Sequence, residues 1–457
     1  MITIYIPNNN KKECEYIINI FFREIFDIEY CINYIEYSDY YEILIDNDRK
    51  IYIKDSFFSK FLKEKEYLDK KYIPLDIKFA ESNLFHTEKL PVIYGEDLIR
   101  IGDDNCTIYC DIDIFASAFF MLTRWEEYVN KARDQHDRFP GIESIAYKYG
   151  FLDRPAVNEY AELLWSMLKF LGYNRPRKEH QYQMMLTHDV DEPFEIAYKP
   201  LGLILKNIAG DVIKRKEYAI AVKKAMDLFE KTENKLSFDN FFSFDYIMEQ
   251  SEKRGLESAF YFLPSGSPEM QFRPKIENPT MKNLLKSIHQ RGHEIGIHGH
   301  YETYRNEKAF LDDVELLKKA LNENRIEYQI KGGRQHYLRW EMPTTYYNYQ
   351  NAGLEYDTTL SYADVAGFRC GICYEFTPFD FLKREKLKIK ERPLIAMECS
   401  IIDERYMNMG YTERALDYFK KLKDQCRKYN GNFVLLWHNS RLRNDQEKKF
   451  YEQVLDC

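Results

Sequence analysis

Apolar residues follow two rhythms along this chain, and the change of rhythm predicts its organisation. In residues 1 to 80 short runs alternate apolar and polar side chains with the two-residue period of a strand. Residues 2–6 (ITIYI), 41–45 (YEILI) and 49–53 (RKIYI) read as strands, with 46–48 as a turn and 13–26 as an amphipathic helix. That mixture predicts a small α/β domain over 1–80. From 81 to 178 the spacing moves to three and four residues, at 114–129 and 154–171, which predicts a helical linking module. A polar stretch with a Pro-Gly stop, NKARDQHDRFPGIES (130–144), separates those two helices.

From 179 to 457 apolar strands alternate with helices. Strand-like runs at 184–187, 259–263, 294–297, 329–331 and 433–437 are interleaved with helical spacing at 242–254, 282–291 and 312–322. Such alternation predicts a parallel α/β architecture, here a distorted or incomplete β/α barrel. Residues 205–231 read as helical and mark an insertion near 200–237, after the first barrel strand. The unusual polar residues fall just beyond the strands. In α/β barrels that rim is where loops converge on a site.

Composition narrows the partners. Of 457 residues, 45% are hydrophobic and 16% aromatic, enough for large packed cores. A formal net charge of −8 argues against a nucleic-acid partner, which needs a basic face. No run approaches the ~20 apolar residues of a membrane span. The first residues, MITIYIPNNNKKECEY, lack the basic, apolar and small-residue order of a secretory signal. The nine cysteines are odd in number and scattered. Both features predict a cytoplasmic location. No feature specifies an oligomeric state.

Two clusters carry the candidate chemistry. Thr187-His188-Asp189-Val190-Asp191 follows the apolar run MMLT, so two carboxylates two residues apart project to one side of a strand end and can share a cation. The competing reading is a capping or turn role. Gly292 to Thr303 (GHEIGIHGHYET) holds three of the ten histidines and two glutamates. His298, His300 and Glu302 lie at or beyond its strand, and imidazole with carboxylate suits Zn²⁺ or a similar ion. The competing reading, surface histidines at a strand end, fits His293 better than His298.

THDVD resembles the first motif of the polysaccharide deacetylases (carbohydrate esterase family 4, the NodB-homology domain). GHEIGIHGHYET resembles their second, in which a second ligand histidine follows the first after four residues. KGGRQHY (331–337) stands where the family has its RPPYG-like third motif, although the prolines are missing. GLEYDTT (353–359) is similar to the stretch that follows it, and FVLLWHN (433–439) resembles the fifth motif. The resemblance spans about residues 180–457. It implies Asp189 as general base, Arg334 as the partner that orients it, Asp191 and His298 as ligands of a divalent metal such as Zn²⁺, and His438 as general acid. Asp357 then either orients the catalytic histidine or serves as a cap or turn residue. The family's second histidine falls at 302, a glutamate here. Either Glu302 replaces it as an oxygen ligand, or His300 swings in, or the site holds metal with fewer protein ligands.

The implied activity is metal-dependent removal of an N-acetyl group from an amino sugar, with a carbohydrate partner, in a bacterial surface-polysaccharide pathway. The alternative is a non-catalytic carbohydrate-binding or assembly protein with a degenerate site. A third reading, redox or structural metal chemistry at Cys370 and Cys373, lacks a partner pair and a thioredoxin-like frame. The upstream MLTRWEEY…DQHDRFPG resembles a helical module preceding this catalytic domain in bacterial relatives. There Asp134, His136 and Arg138 form either a pocket wall or a folded polar loop.

Overall fold

In the computed structural model, which describes residues 1–36, 38–82, 86–195, 197–229, 239–266 and 272–457, the chain forms two units. The first comprises Met1–Tyr182, Gly367–Pro393 and Gln425–Gly431. Its sheet contains β1 (Ile2–Pro7), β2 (Tyr30–Ile35), β3 (Tyr40–Leu44), β4 (Lys50–Lys54), β5 (Gly95–Ile101) and β6 (Thr107–Ile112), in the order β2-β1-β3-β4-β6-β5. Ile2, Ile4, Ile6, Ile51 and Ile53 are buried at every second position, as the two-residue period predicts.

Helical spacing was expected from residue 81, yet 95–112 forms β5 and β6. Ile108, Cys110 and Ile112 point inward in alternation, and that period decides the segment. Helices begin at Ile114–Thr123, where the Asp113 side chain accepts the Ala116 N–H at 2.9 Å and caps a wholly buried helix. Arg124 at φ 54 interrupts it before Trp125–Val129, and Ala156–Phe170 follows.

The CxxC pair lies in this unit. Cys370 and Cys373 are buried and unbridged, and burial pushes the Cys370 thiol well above its usual range, so it stays protonated and inert. The 134–138 segment bonds to itself. Arg138 Nε donates to Asp134 Oδ2 at 2.7 Å, and the His136 and Arg138 amides donate to Asp134 Oδ1.

The second unit comprises Gln183–Ala366, Leu394–Asp424 and Asn432–Cys457. Its strands are β7 (Gln183–Val190), β8 (Ser258–Phe262), β9 (Glu294–Gly299), β10 (Gly332–Gln335), β11 (Tyr356–Asp357), β12 (Ala396–Met397) and β13 (Asn432–Leu436). They run β11-β10-β9-β8-β7-β13-β12, every neighbouring pair parallel. The helices Phe244–Glu252, Pro279–Gln290 and Glu307–Glu323 alternate with these strands. This is the incomplete β/α barrel the alternation predicts, with β11 and β12 cut to two residues each. β8 is buried throughout, as a strand covered on both faces must be.

A strand was expected at 329–331 but starts at Gly332. The glycine pair, which looks like a breaker, is what permits the strand. A Cβ on Gly333 would lie 1.8 Å from the Ile297 carbonyl oxygen, so only glycine lets β10 approach β9. Gly296 has the same duty toward the Tyr261 ring, 2.4 Å from where its Cβ would stand.

The expected insertion contains helices Leu201–Gly210 and Tyr218–Phe229, joined through Asp211–Arg215. Its residues 230–237 lie outside the described residues. Among the described residues no helix is long and apolar enough to cross a membrane.

Candidate metal centre

Parallel register places the chemistry at one end of the second sheet. β7 carries Asp189 near its end, with Asp191 just beyond; β9 carries His298; and β10 pairs Arg334 with His298. β13 ends at Leu436, so His438 follows on the same rim. Alternation sends Asp189 to one side and His188 to the other. His188 Nδ1 donates to the Trp437 carbonyl at 2.7 Å, and its Nε2 meets Ser258 Oγ at 3.1 Å. It therefore ties β7 to its neighbours, and burial lowers its pKa to about 4.

Asp191, His298 and His336 converge, their donor atoms within 4.8 Å of one another. His298 Nε2 lies 3.1 Å from Asp191 Oδ1, and His336 Nε2 lies 3.5 Å from the same oxygen. His298 Nδ1 is 2.9 Å from the Arg334 carbonyl. A carbonyl only accepts, so Nδ1 carries the proton and Nε2 presents its lone pair. Burial pushes the His336 pKa down to about 4, against the pull of Asp191, and keeps the ring neutral as a ligand must be. Burial opposes charge on Asp191, but the His336, His298 and His438 rings, in their protonated forms, favour it and hold its carboxyl well below the usual range. Asp191 Oδ1 is itself buried without a hydrogen-bond partner among the described residues. Two imidazoles and an orphaned carboxylate oxygen fit a borderline divalent cation such as Zn²⁺.

The candidate base stands alongside. Arg334, fully buried, donates from Nη1 to Asp189 Oδ1 at 2.8 Å and from Nε to the Thr358 carbonyl at 2.9 Å. Thr187 Oγ1 receives the same Nη1 at 3.0 Å. These contacts fix the guanidinium, and it fixes the carboxylate. Asp189 Oδ2 is 3.9 Å from His298 Nε2.

His438 completes the group, with Nε2 3.8 Å from Asp191 Oδ2. Its Nδ1 donates to Glu398 Oε1 at 2.6 Å, and its backbone N–H donates to the same oxygen at 3.1 Å. Burial opposes charge on His438, but the Glu398 carboxylate, with Cys399 beside it, holds its pKa well above the ordinary imidazole range. Glu398, Cys399 and His438 also satisfy a three-donor geometry. Because Nδ1 is committed to Glu398, the outward nitrogen of His438 is Nε2, which faces Asp191. A proton-transfer role suits that orientation.

The structure places three of the sequence candidates, Glu302, His300 and Asp357, outside the three-donor cluster. Glu302 lies half-exposed near Arg305 (3.3 Å) and Arg339 (3.6 Å), away from the three-donor cluster. His300 Nδ1 donates to Asp313 Oδ2 at 2.7 Å, which holds that ring elsewhere. Asp357 accepts the Thr359 N–H at 3.0 Å, and burial raises its pKa to about 7; the carboxylate against His438 is Glu398 instead. His336 and Glu398 were both missed. His336 stood in plain view beside Arg334 in KGGRQHY, and Glu398 directly follows the two-residue strand β12, too short to show a period. After His336, Tyr337 (φ 62) and Leu338 (φ 57) take the left-handed region without being glycine, a strained turn that aims the ring inward.

Fold and site define an α/β barrel protein with an Asp/His donor set at its strand ends, flanked by Asp189 and His438. Residues 2–173 match a family described as of unknown function (DUF7033). No curated protein sequence matches the chain. Among solved structures, a protein described as a polysaccharide deacetylase from Mycobacterium smegmatis shares 16% identity at a TM-score of 0.39, covering 61% of this chain and 84% of that one. One described likewise from Pseudomonas aeruginosa PAO1 shares 12% at 0.34, covering 63% and 89%. Puue allantoinase shares 11% at 0.36, covering 62% and 88%. Likenesses at this level assign neither activity nor substrate.

Proposed function

We propose that this chain is a metal-dependent hydrolase that removes an N-acetyl group from an amino sugar in a bacterial surface-polysaccharide pathway. The observation that carries the reading is the convergence of Asp191, His298 and His336 beside the Asp189–Arg334 pair. Asp191, His298 and His336 would hold the cation, with His336 in the role the sequence left to Glu302 or His300. Bound there, a divalent cation supplies a Lewis acid for the amide carbonyl and lowers the pKa of water. Asp189 takes a proton from the attacking water, and Arg334 keeps its carboxylate aimed. His438 delivers a proton to the leaving amine from Nε2, while Glu398 fixes its ring and tautomer. Acetate and a free amino sugar are the products. A cytoplasmic site of action belongs to this reading and rests on the cysteine usage.

Acetate release from N-acetylated amino sugars and oligosaccharides, by native protein and by Asp189→Asn, tests the reaction. Release that Asp189→Asn abolishes supports it. No release by metal-loaded native protein across such substrates favours the non-catalytic carbohydrate-binding alternative.

A further inference from the structure

The insertion between β7 and β8 has a surface unlike the rest of the chain. Its two helices turn inward on few residues: Ile204 and Asp211 from the first helix and its extension, Ile220, Ala221, Lys224 and Asp227 from the second. The buried Lys224 ammonium donates to Asp211 Oδ2 at 2.7 Å and pairs with Glu195, locking the helices to each other and to the loop after β7. Asn439, next to His438, holds both feet of the insertion, donating to the Glu192 carbonyl at 3.0 Å and the Phe241 carbonyl at 2.9 Å. The element is thus rooted at the rim that carries the metal centre.

Its outer side is apolar where a solvent face should be polar. Leu201, Leu205 and Val212 form one stripe and Tyr218, Val222 and Met226 a second, at the three- to four-residue multiples that keep side chains on one helical face. With Ile213 between them, their exposures run from 41% for Val212 to 74% for Ile213. Exposed apolar stripes of this kind mark a docking surface. Charge identifies what docks. Residues 201–228 hold six basic and three acidic side chains in a chain of net charge −8. Lys206, Lys214, Lys216 and Lys223 are exposed, whereas Asp211 and Asp227 are buried and Glu217 is half-buried beside Arg215. Apolar stripes edged by lysines, with their carboxylates turned inward, complement a surface that is apolar within and anionic at its face.

We propose that this helical pair docks on anionic lipid bilayers, holding the protein at a membrane surface without spanning it. The lysines meet lipid phosphates while the leucine, valine and tyrosine side chains enter the boundary between headgroups and acyl chains. This inference stands whether or not the site hydrolyses amides.

Vesicle flotation tests it, using the full chain with phosphatidylcholine vesicles and with vesicles also containing phosphatidylglycerol. Binding should require phosphatidylglycerol, weaken at high salt, and fall about tenfold or more in a Lys206→Ser, Lys214→Ser, Lys216→Ser, Lys223→Ser variant. Leu205→Glu with Val222→Glu should abolish it. Both positions are exposed, and an unchanged melting temperature checks that each variant folds. No flotation with phosphatidylglycerol vesicles, or flotation unaffected by Leu205→Glu with Val222→Glu, overturns the proposal. So does concentration-dependent dimerisation in sedimentation that the same variant removes without any vesicle binding, since the face then covers a second copy.

Discussion

His336 Nε2 lies 3.5 Å from Asp191 Oδ1, the same oxygen that His298 Nε2 approaches at 3.1 Å. The pair joins the loop after β7 to the turn after β10, and it supplies a third donor where the second motif offers glutamate. His336→Ala should therefore lower Zn²⁺ affinity by at least about 100-fold. Glu302→Gln and His300→Ala should leave it within about threefold, because neither side chain joins the cluster. Titration with a competing chelator measures all three. Equal losses in His336→Ala and Glu302→Gln would contradict the ligand set.

Glu398 fixes the outward nitrogen of His438. Glu398→Gln keeps the volume but can present an amide N–H to Nδ1, which reverses the tautomer. On the proposed reaction kcat should fall about 10²- to 10⁴-fold with KM little changed. Steady-state kinetics on the best N-acetylated substrate reads this split, and a change confined to KM would assign Glu398 to substrate binding.

Gly333 is required by steric fit. Gly333→Ala places a methyl group against the Ile297 carbonyl, so β9 and β10 must separate and carry His298 and Arg334 apart. The expected cost is about 1–3 kcal/mol, typical of forced overpacking, together with weaker metal binding. Thermal melts with and without Zn²⁺ measure both. A melting temperature equal to the native protein's would show that the strands can yield.

Glu126 and Glu127, adjacent in the first unit, are driven in opposite directions. Burial opposes charge on both. Arg369 and Arg124 bond Glu127 and hold its carboxyl low, whereas burial outweighs what Glu126 receives, a 3.3 Å contact to Arg124 and the Ile145 N–H at 2.9 Å, and it rises to about 7. A carboxyl whose folded pKa is raised favours the folded state when protonated. Its contribution is full below the ordinary glutamate range and is lost as pH climbs through about 7. Stability should thus decline over that window by up to about 1.4 kcal/mol per pH unit. Glu126→Gln should flatten the decline. Urea unfolding at several pH values measures the slope, and an identical slope in the variant would refute the assignment.

Much of this was legible in the sequence, for physical reasons that differ by residue. Asp189 and His298 lie near the ends of β7 and β9, and Asp191 and His438 lie just beyond β7 and β13, so the strand-then-helix alternation puts all four at the barrel rim. Arg334 sits on a strand that glycine hides, because the Gly332–Gly333 pair reads as a break until the approach of β9 is known. The family resemblance put the third donor on one segment, at Glu302 or else His300, or left it without a protein ligand. Coordination instead joins two segments, since parallel pairing of β9 with β10 sets His336 near His298, their ring centroids 5.2 Å apart. Glu398 depends on the pairing of a two-residue strand with β13, which no local pattern announces. β5 and β6 were missed because their alternation adjoins a strong helical signal.

The central claim is that Asp191, His298 and His336 hold one divalent cation. Anomalous diffraction at the zinc edge, on crystals of protein purified with Zn²⁺ present, tests it most directly. The account predicts a single strong peak in contact with Asp191, His298 and His336, with Glu302 and His300 beyond bonding distance. An absence of anomalous density there at saturating Zn²⁺, or a peak ligated by Glu398, Cys399 and His438 instead, would contradict it.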